Sequence, residues 1–197
     1  MTANNFPRGR QAILNAVIRV VAQKGLRGLT FRSLAAEAGV SPTLPAHYFG
    51  TRDTIIKETL SWVVKYSVAS THLARFTASE REYEDALVAS LKDEPDIHAF
   101  QIEMILEAHR RPELQPAVSE LYSTYLQAMQ TDAEFAGLTN ISDAKYRTVF
   151  ACIDGLILQY LSGAITDAQL RESASLAWSF IGAEPGTTRH EEDTQAV

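Results

Sequence analysis

Residues Thr30 to Ser41 read TFRSLAAEAGVS, and this stretch decides the fold. Thr30 is a good N-cap, because its hydroxyl can accept one of the orphan N–H groups of a helix's first turn. Leu34, Ala35 and Ala38 would then share one apolar face, and Gly39 supplies a residue that can end the helix in the left-handed conformation. Ser41 caps a further short helix in this reading, with Pro42 at its first position, where a missing N–H costs nothing. Two short helices about the turn Gly39-Val40-Ser41 have helix-turn-helix spacing.

Working outward, Ile13, Leu14, Val17, Val20 and Val21 form one face of a helix from Arg8 to Lys24, closed by Gly25 and Leu26. Thr51 caps a fourth helix from Arg52 to about Phe76, along Ile55, Ile56, Leu60, Val63 and Val64. Further helices are predicted over 79–92, 95–110 and 116–131, punctuated by Pro95, Pro112 and Pro116. After the break AGLTNIS, Ser142 or Asp143 starts another helix, and Thr166 starts a last one through Phe180. Strand signals are almost absent. The expectation is an all-α protein of about nine helices: a three-helix unit over 1–51, a larger helical domain over 52–182, and a disordered polar tail over 183–197.

Hydrophobic residues make up 46% of the 197, ample for a packed core. No apolar run reaches the ~18 residues of a membrane span, and MTANNFPRGRQ lacks the apolar stretch of a secretory signal, so the cytoplasm is expected. The single cysteine, Cys152 in TVFACIDGLIL, reads as a buried structural thiol. The net charge of −6 is divided unevenly: residues 1–60 hold eight Lys and Arg against three acids, and the rest hold ten against 21. A basic module facing a polyanion and an acidic body that does not is the simplest account of that asymmetry.

Together GLRGLTFRSLAAEAGVS and HYFGTRDTII, within residues 10–60, closely resemble the N-terminal domain of the TetR family of transcriptional regulators. The resemblance implies a double-stranded DNA operator as partner, with the short helix after Ser41 entering the major groove. It implies that Thr30, Ser41, Tyr48 and Arg52 meet phosphates, and that His47 touches backbone or a base edge. Hydroxyls and N–H groups at helix N-termini suit phosphate oxygens, which set register without reading sequence. Arg32 could also reach the backbone, and Arg8 and Arg10 resemble the flexible basic arm of many members. Leu34, Ala38, Val40 and Phe49 are assigned to the domain's own core.

The sequence departs from the family after Ser41. Most members carry Lys-Gly-Thr-Leu-Tyr there, whereas this chain has Pro42, Thr43, Leu44, Pro45 and Ala46. The usual lysine contact is lost, and direct base reading falls to Thr43, Leu44, Ala46 and His47. Leu and Ala can only pack on a thymine methyl. Pro45 stands at the fourth position of a helix begun at Pro42, where it would delete the first intrahelical bond, to the Ser41 carbonyl.

In the family the remaining helices bind a small molecule and dimerise through the last two. DGLILQYL at 154–161 resembles a stretch of the family's penultimate helix. Both final helices are apolar on more than one face, which implies a partner for the second face. A homodimer through Phe150, Ile153, Ile157, Tyr160, Leu161 and Trp178 is therefore expected, reading half-sites about 34 Å or a small multiple apart. Asp154 is read as a structural hydrogen-bonding group at this helix pair. FQIEMILEAHRRPEL at 100–114 is similar to the sixth helix and following loop in one branch of the family, which couples ligand cavity to DNA domain. Phe100, Glu103, Met104, Tyr122 and Tyr125 are the candidate ligand residues for an unidentified small molecule, with Glu107, His72, His98 and His109 as other polar anchors. The histidines are scattered with no i, i+4 pair, so neither a metal nor another cofactor is expected. No phosphate loop or nucleophile motif suggests an enzyme. The expected function is a DNA-binding regulator, a repressor released by a small-molecule effector; the alternative is a dimeric DNA-binding protein without such a ligand, controlled by a protein partner.

Overall fold

Apolar residues at three- and four-residue spacing give helices throughout, and the caps anticipated for them set most of the boundaries. A computed structural model describes residues 6–70, 80–135, 137–138 and 140–182, and these contain nine α-helices and no strand. They are α1 (Phe6–Lys24), α2 (Phe31–Ala38), α3 (Leu44–Phe49), α4 (Arg52–Ser70), α5 (Glu80–Asp93), α6 (Pro95–Arg110), α7 (Gln115–Phe135), α8 (Asp143–Leu161) and α9 (Asp167–Gly182). Single 3-10 turns at Leu26–Gly28 and Pro112–Leu114 join α1 to α2 and α6 to α7. The continuation of the fourth helix to Phe76, His72 as an anchor, and the tail after 182 lie outside the described residues.

The predicted caps form at several helix ends. Thr30 Oγ1 accepts the Ser33 N–H at 3.0 Å while Ser33 Oγ accepts the Thr30 N–H at 2.9 Å, a reciprocal capping box. At the other end Gly39 takes a left-handed φ of 64°, and the Val40 N–H reaches back to the Ala35 carbonyl at 3.0 Å. Thr51 Oγ1 accepts the Thr54 N–H at 3.1 Å, and Ser142 caps α8 through the Lys145 N–H.

The main core does not stop at the end of the three-helix unit. One apolar cluster joins Ile13, Leu14 and Val17 of α1 to Leu34, Phe49, Ile56 and Leu60, and runs on into Phe100 and Met104 of α6. A second packs Tyr83 and Leu87 of α5 against Ile153 and Ile157 of α8 and Leu170 of α9. A third joins Met129 and Ala133 of α7 to Tyr146, Val149 and Ile181.

Cys152 is exposed, contrary to the expectation of a buried thiol. Its apolar neighbours in sequence point elsewhere: Val149, Ile153 and Leu156 form the buried stripe of α8, and position 152 turns away from it. Arg8 and Arg10 belong to α1 and not to a flexible arm. Arg10 is held there by an ion pair with Glu58 and by its guanidinium lying 5.2 Å above the Phe49 ring centroid.

Candidate nucleic-acid interface and the cavity behind it

The third helix begins two residues later than its sequence suggests. Ser41, Pro42 and Thr43 form a turn, in which the Leu44 N–H donates to the Ser41 carbonyl at 3.0 Å and the Ser41 and Thr43 hydroxyls are 3.3 Å apart. Thr43, not Ser41, holds the N-cap position, and the first helical bond runs from the His47 N–H to the Thr43 carbonyl at 3.0 Å. Pro42 is thus outside the helix, while Pro45 becomes its second residue, where no N–H has an intrahelical partner. Starting at Leu44 removes the conflict that a start at Pro42 would create. Pro45 is also buried, so it packs inward and does not face the groove. Pro45→Leu is accordingly expected to leave operator preference unchanged, as read by selection from a random duplex pool; a changed preference would mean that the ring itself sets the docking angle.

On this unit Thr30, Arg32, Ser41, Pro42, Thr43, Ala46, His47 and Arg52 are exposed. Leu44 is different: it packs against the core, its Cδ2 lying 3.4 Å from where a Cβ on Gly9 would stand. Leu44 is thus spent on holding α3 against α1, which leaves Ala46 and Thr43 to carry the exposed methyl groups of this edge. Tyr48 is half-buried, its hydroxyl oxygen 3.3 Å from that same position at Gly9. The Arg52 guanidinium donates to the Leu26 carbonyl, which fixes it at the first turn of α4 beside the short turn that ends α1. Leu34 and Phe49 are buried, and Ala38 and Val40 pack against the same core, as expected.

Behind this unit α6 has two working faces. Phe100 and Met104, candidates for ligand contact, are fully buried and face α1. One residue further round, a helix turns by about 100°, and His98, Gln101, Ile102 and Ile105 line a cavity of about 60 Å³. Tyr125 of α7 also lines it, together with Tyr83, Phe150 and Asp154. Gln101 Nε2 donates to the Tyr125 hydroxyl at 2.7 Å, and His98 Nε2 is 2.8 Å from Ser90 Oγ. Burial pushes the His98 pKa down to about 4, so its ring is neutral near pH 7. Tyr122 donates to Asp154 Oδ2 at 3.1 Å. Glu103 lies elsewhere, with Oε1 3.3 Å from the position of a Cβ on Gly25, whose φ is 63°. Glu107 pairs with Arg110 at 3.0 Å, and His109 is exposed. The cavity's face of α6 was signalled by His98 and Gln101, polar residues one turn apart on an otherwise apolar stretch. No group of three or more His, Cys, Asp or Glu suited to a metal occurs among the described residues.

An ion pair ties the end of α6 to the first turn of α4, directly after the N-terminal unit. Arg111 Nη2 donates to Asp53 Oδ1 at 2.7 Å and its Nε to Glu113 Oε1 at 2.9 Å. The hydrogen bond from Arg111 holds the Asp53 carboxyl below the usual carboxylate range.

The last two helices present an apolar face outward, though not with the residues first expected. Ile153 and Ile157 are buried in the chain's own core, since they belong to the stripe of α8 that meets α5 and α9. Trp178 packs against Tyr83 with centroids 4.8 Å apart and the rings tilted by 36°, and Phe150 packs on Tyr125 at 5.4 Å. Tyr160 donates to Asp167 at 3.0 Å, and Leu161 is half-buried. Leu158, Leu176 and Phe180 are instead 52%, 62% and 53% exposed, beside Ala151 and Cys152.

Two short helices about a tight turn, with an exposed polar edge and a helical body with an inner cavity behind them, make a helix-turn-helix unit on an all-helical domain. Residues 13–59 match the family model of bacterial regulatory proteins of the tetR family, and residues 78–177 match that of the tetracyclin repressor-like C-terminal domain. This chain belongs to the TetR family of DNA-binding transcriptional regulators. It is 28% identical over 173 residues to the HTH-type transcriptional regulator BetI of Burkholderia mallei, covering 85% of this chain and 87% of the relative. A TetR-family member of Streptomyces coelicolor A3 superposes with a TM-score of 0.64 at 29% identity, covering 86% of this chain and 97% of that one. The multidrug binding protein EbrR, in complex with proflavin, superposes with a TM-score of 0.57 at 26% identity, covering 86% and 99%.

Proposed function

We propose that this protein is a cytoplasmic repressor that grips a two-half-site operator as a homodimer and is released when a small molecule occupies the cavity. One observation carries the reading. The same helix, α6, lines the cavity with His98, Gln101 and Ile105 and packs Phe100 and Met104 against α1 of the DNA-binding unit. Occupation of one face cannot leave the other indifferent if α6 moves as a body, and coupling of ~1–3 kcal/mol would change operator affinity 5- to 150-fold. The complexes of EbrR with proflavin, ethidium and imidazole support a small-molecule ligand for this protein. Thr30, Arg32, Ser41, Tyr48 and Arg52 would position the backbone, and Pro42, Thr43, Ala46 and His47 would meet the groove.

The test is selection of operators from a random duplex library, followed by their location in the source genome. A selected site overlapping a promoter supports repression. Affinity for the selected duplex should fall steeply with salt, by on the order of a thousandfold between roughly 50 and 200 mM, because phosphate contacts release counterions. Salt-insensitive binding would end the reading. A second reading has its own support: about 60 Å³ is far below the ~300 Å³ usual for drug-sized ligands. A DNA-binding dimer governed by a protein partner would need no larger space.

A further inference from the structure

We infer that Gly9 is a positioning residue for operator binding: its missing side chain lets the recognition helix α3 seat directly on α1 and holds the Tyr48 hydroxyl where it meets the DNA backbone. This rests on the reading of Tyr48 as a phosphate contact and adds the residue that places it.

The seat is made by two consecutive residues of α1. A Cβ at Gly9 would stand 3.3 Å from the Tyr48 hydroxyl oxygen, 3.4 Å from Leu44 Cδ2 and 3.6 Å from Tyr48 Cε2. Carbon atoms pack comfortably at about 3.5–4.0 Å, so a methyl group at this position meets both side chains with no room between. Leu44 and Tyr48 share one face of α3, a helical turn apart. Arg10 takes the far end: it pairs with Glu58 of α4 and its guanidinium lies 5.2 Å above the ring centroid of Phe49, the last residue of α3.

The backbone gives no reason for a glycine here. Gly9 lies inside α1 and is not among the glycines with a positive φ, and in such a place glycine is a poorer helix former than alanine. What needs it is the space between the two helices. α3 has only six residues, too few to hold a helical shape alone, so its position is set by what it packs on. Pro45 and Phe49 are buried on that core, and Arg10 covers the Phe49 end, so the helix cannot back away as a body. A methyl group on residue 9 is then accommodated by a swing of the Tyr48 ring and a lift at Leu44. The favourable range of a hydrogen-bond length spans only about half an ångström, and a displacement of a few tenths at the hydroxyl is a large part of it.

The experiment compares wild type, Gly9→Ala, Tyr48→Phe and the double variant as full chains, by anisotropy of the selected duplex carrying a label and by thermal melts followed through helical ellipticity. Gly9→Ala is expected to melt at or above the wild-type temperature and yet to bind the duplex about tenfold more weakly. Tyr48→Phe should lose a similar factor. The double variant should bind no more weakly than Tyr48→Phe alone, because removing the hydroxyl both deletes the phosphate contact and opens the space above residue 9. Wild-type affinity in Gly9→Ala, a loss that adds in full to that of Tyr48→Phe, or a loss that accompanies a lowered melting temperature would overturn the inference and leave the reading of Tyr48 standing. Wild-type affinity in Tyr48→Phe would strike that reading, and the inference with it.

Discussion

Leu176→Arg is expected to yield a folded monomer that holds its operator on the order of a hundredfold more weakly, because two linked half-site contacts become one. Isolated apolar residues on a surface need no explanation. Leu158, Leu176 and Phe180, however, stand out from two helices packed side by side, each more than half exposed. On the proposed reading of a homodimer on a two-half-site operator, these side chains are the candidate contact surface. In a symmetric pair each arginine would be brought, desolvated, toward an apolar face of its partner. The inward stripe of α9, Leu170, Ala174, Ala177 and Ile181, is untouched, so the chain should still fold. Light scattering after size exclusion, with circular dichroism and an operator titration on the same sample, reads all three properties. A dimer of undiminished affinity would place the interface elsewhere.

The second large effect concerns stability. Phe100→Ala is expected to cost about 3–5 kcal/mol, since the ring is fully buried and its removal leaves a cavity that helices on both sides can only partly close. The ring belongs to the cluster that joins α1 and α4 to α6, so the loss should not be confined to the body. Denaturant melts followed by helical ellipticity should show one transition moved as a whole. A loss below about 1 kcal/mol, or a transition that splits to leave a stable N-terminal unit, would show that the shared core is not what joins the two parts.

Much of the fold could be read from local chemistry. Thr30, Gly39, Thr51 and Ser142 act through bonds to residues within a few positions, and such signals do not depend on the rest of the chain. The start of α3 was misplaced because Ser41-Pro42 is a plausible cap, and only the packing of Pro45 and Leu44 against the core decides against it. The same limit applies to Phe100, Met104, Ile153 and Ile157, which are buried in the chain's own core. Ile153 and Leu158, or Phe100 and Gln101, are equally available to a helix considered alone. Which stripe meets the chain's own core is settled by where the neighbouring helices lie. Along α8 alone Asp154 suggests a bond between the last two helices, yet its partner Tyr122 comes from α7, and no periodicity along α8 could announce that.

The attachment of the DNA-binding unit to the body is of two unlike kinds. Between α1 and α6 it is apolar and non-directional, a greasy seam that resists parting but tolerates sliding and rolling. Between Asp53 and Arg111 it is a single directional ion pair, with Asp53 well exposed, where water and salt leave it little net strength. A seam bordered by one weak latch is the arrangement of a hinge. A pivot of the N-terminal unit about that seam would break only the weak pair, and in a two-fold pair such a pivot would be doubled in the spacing of the two recognition helices.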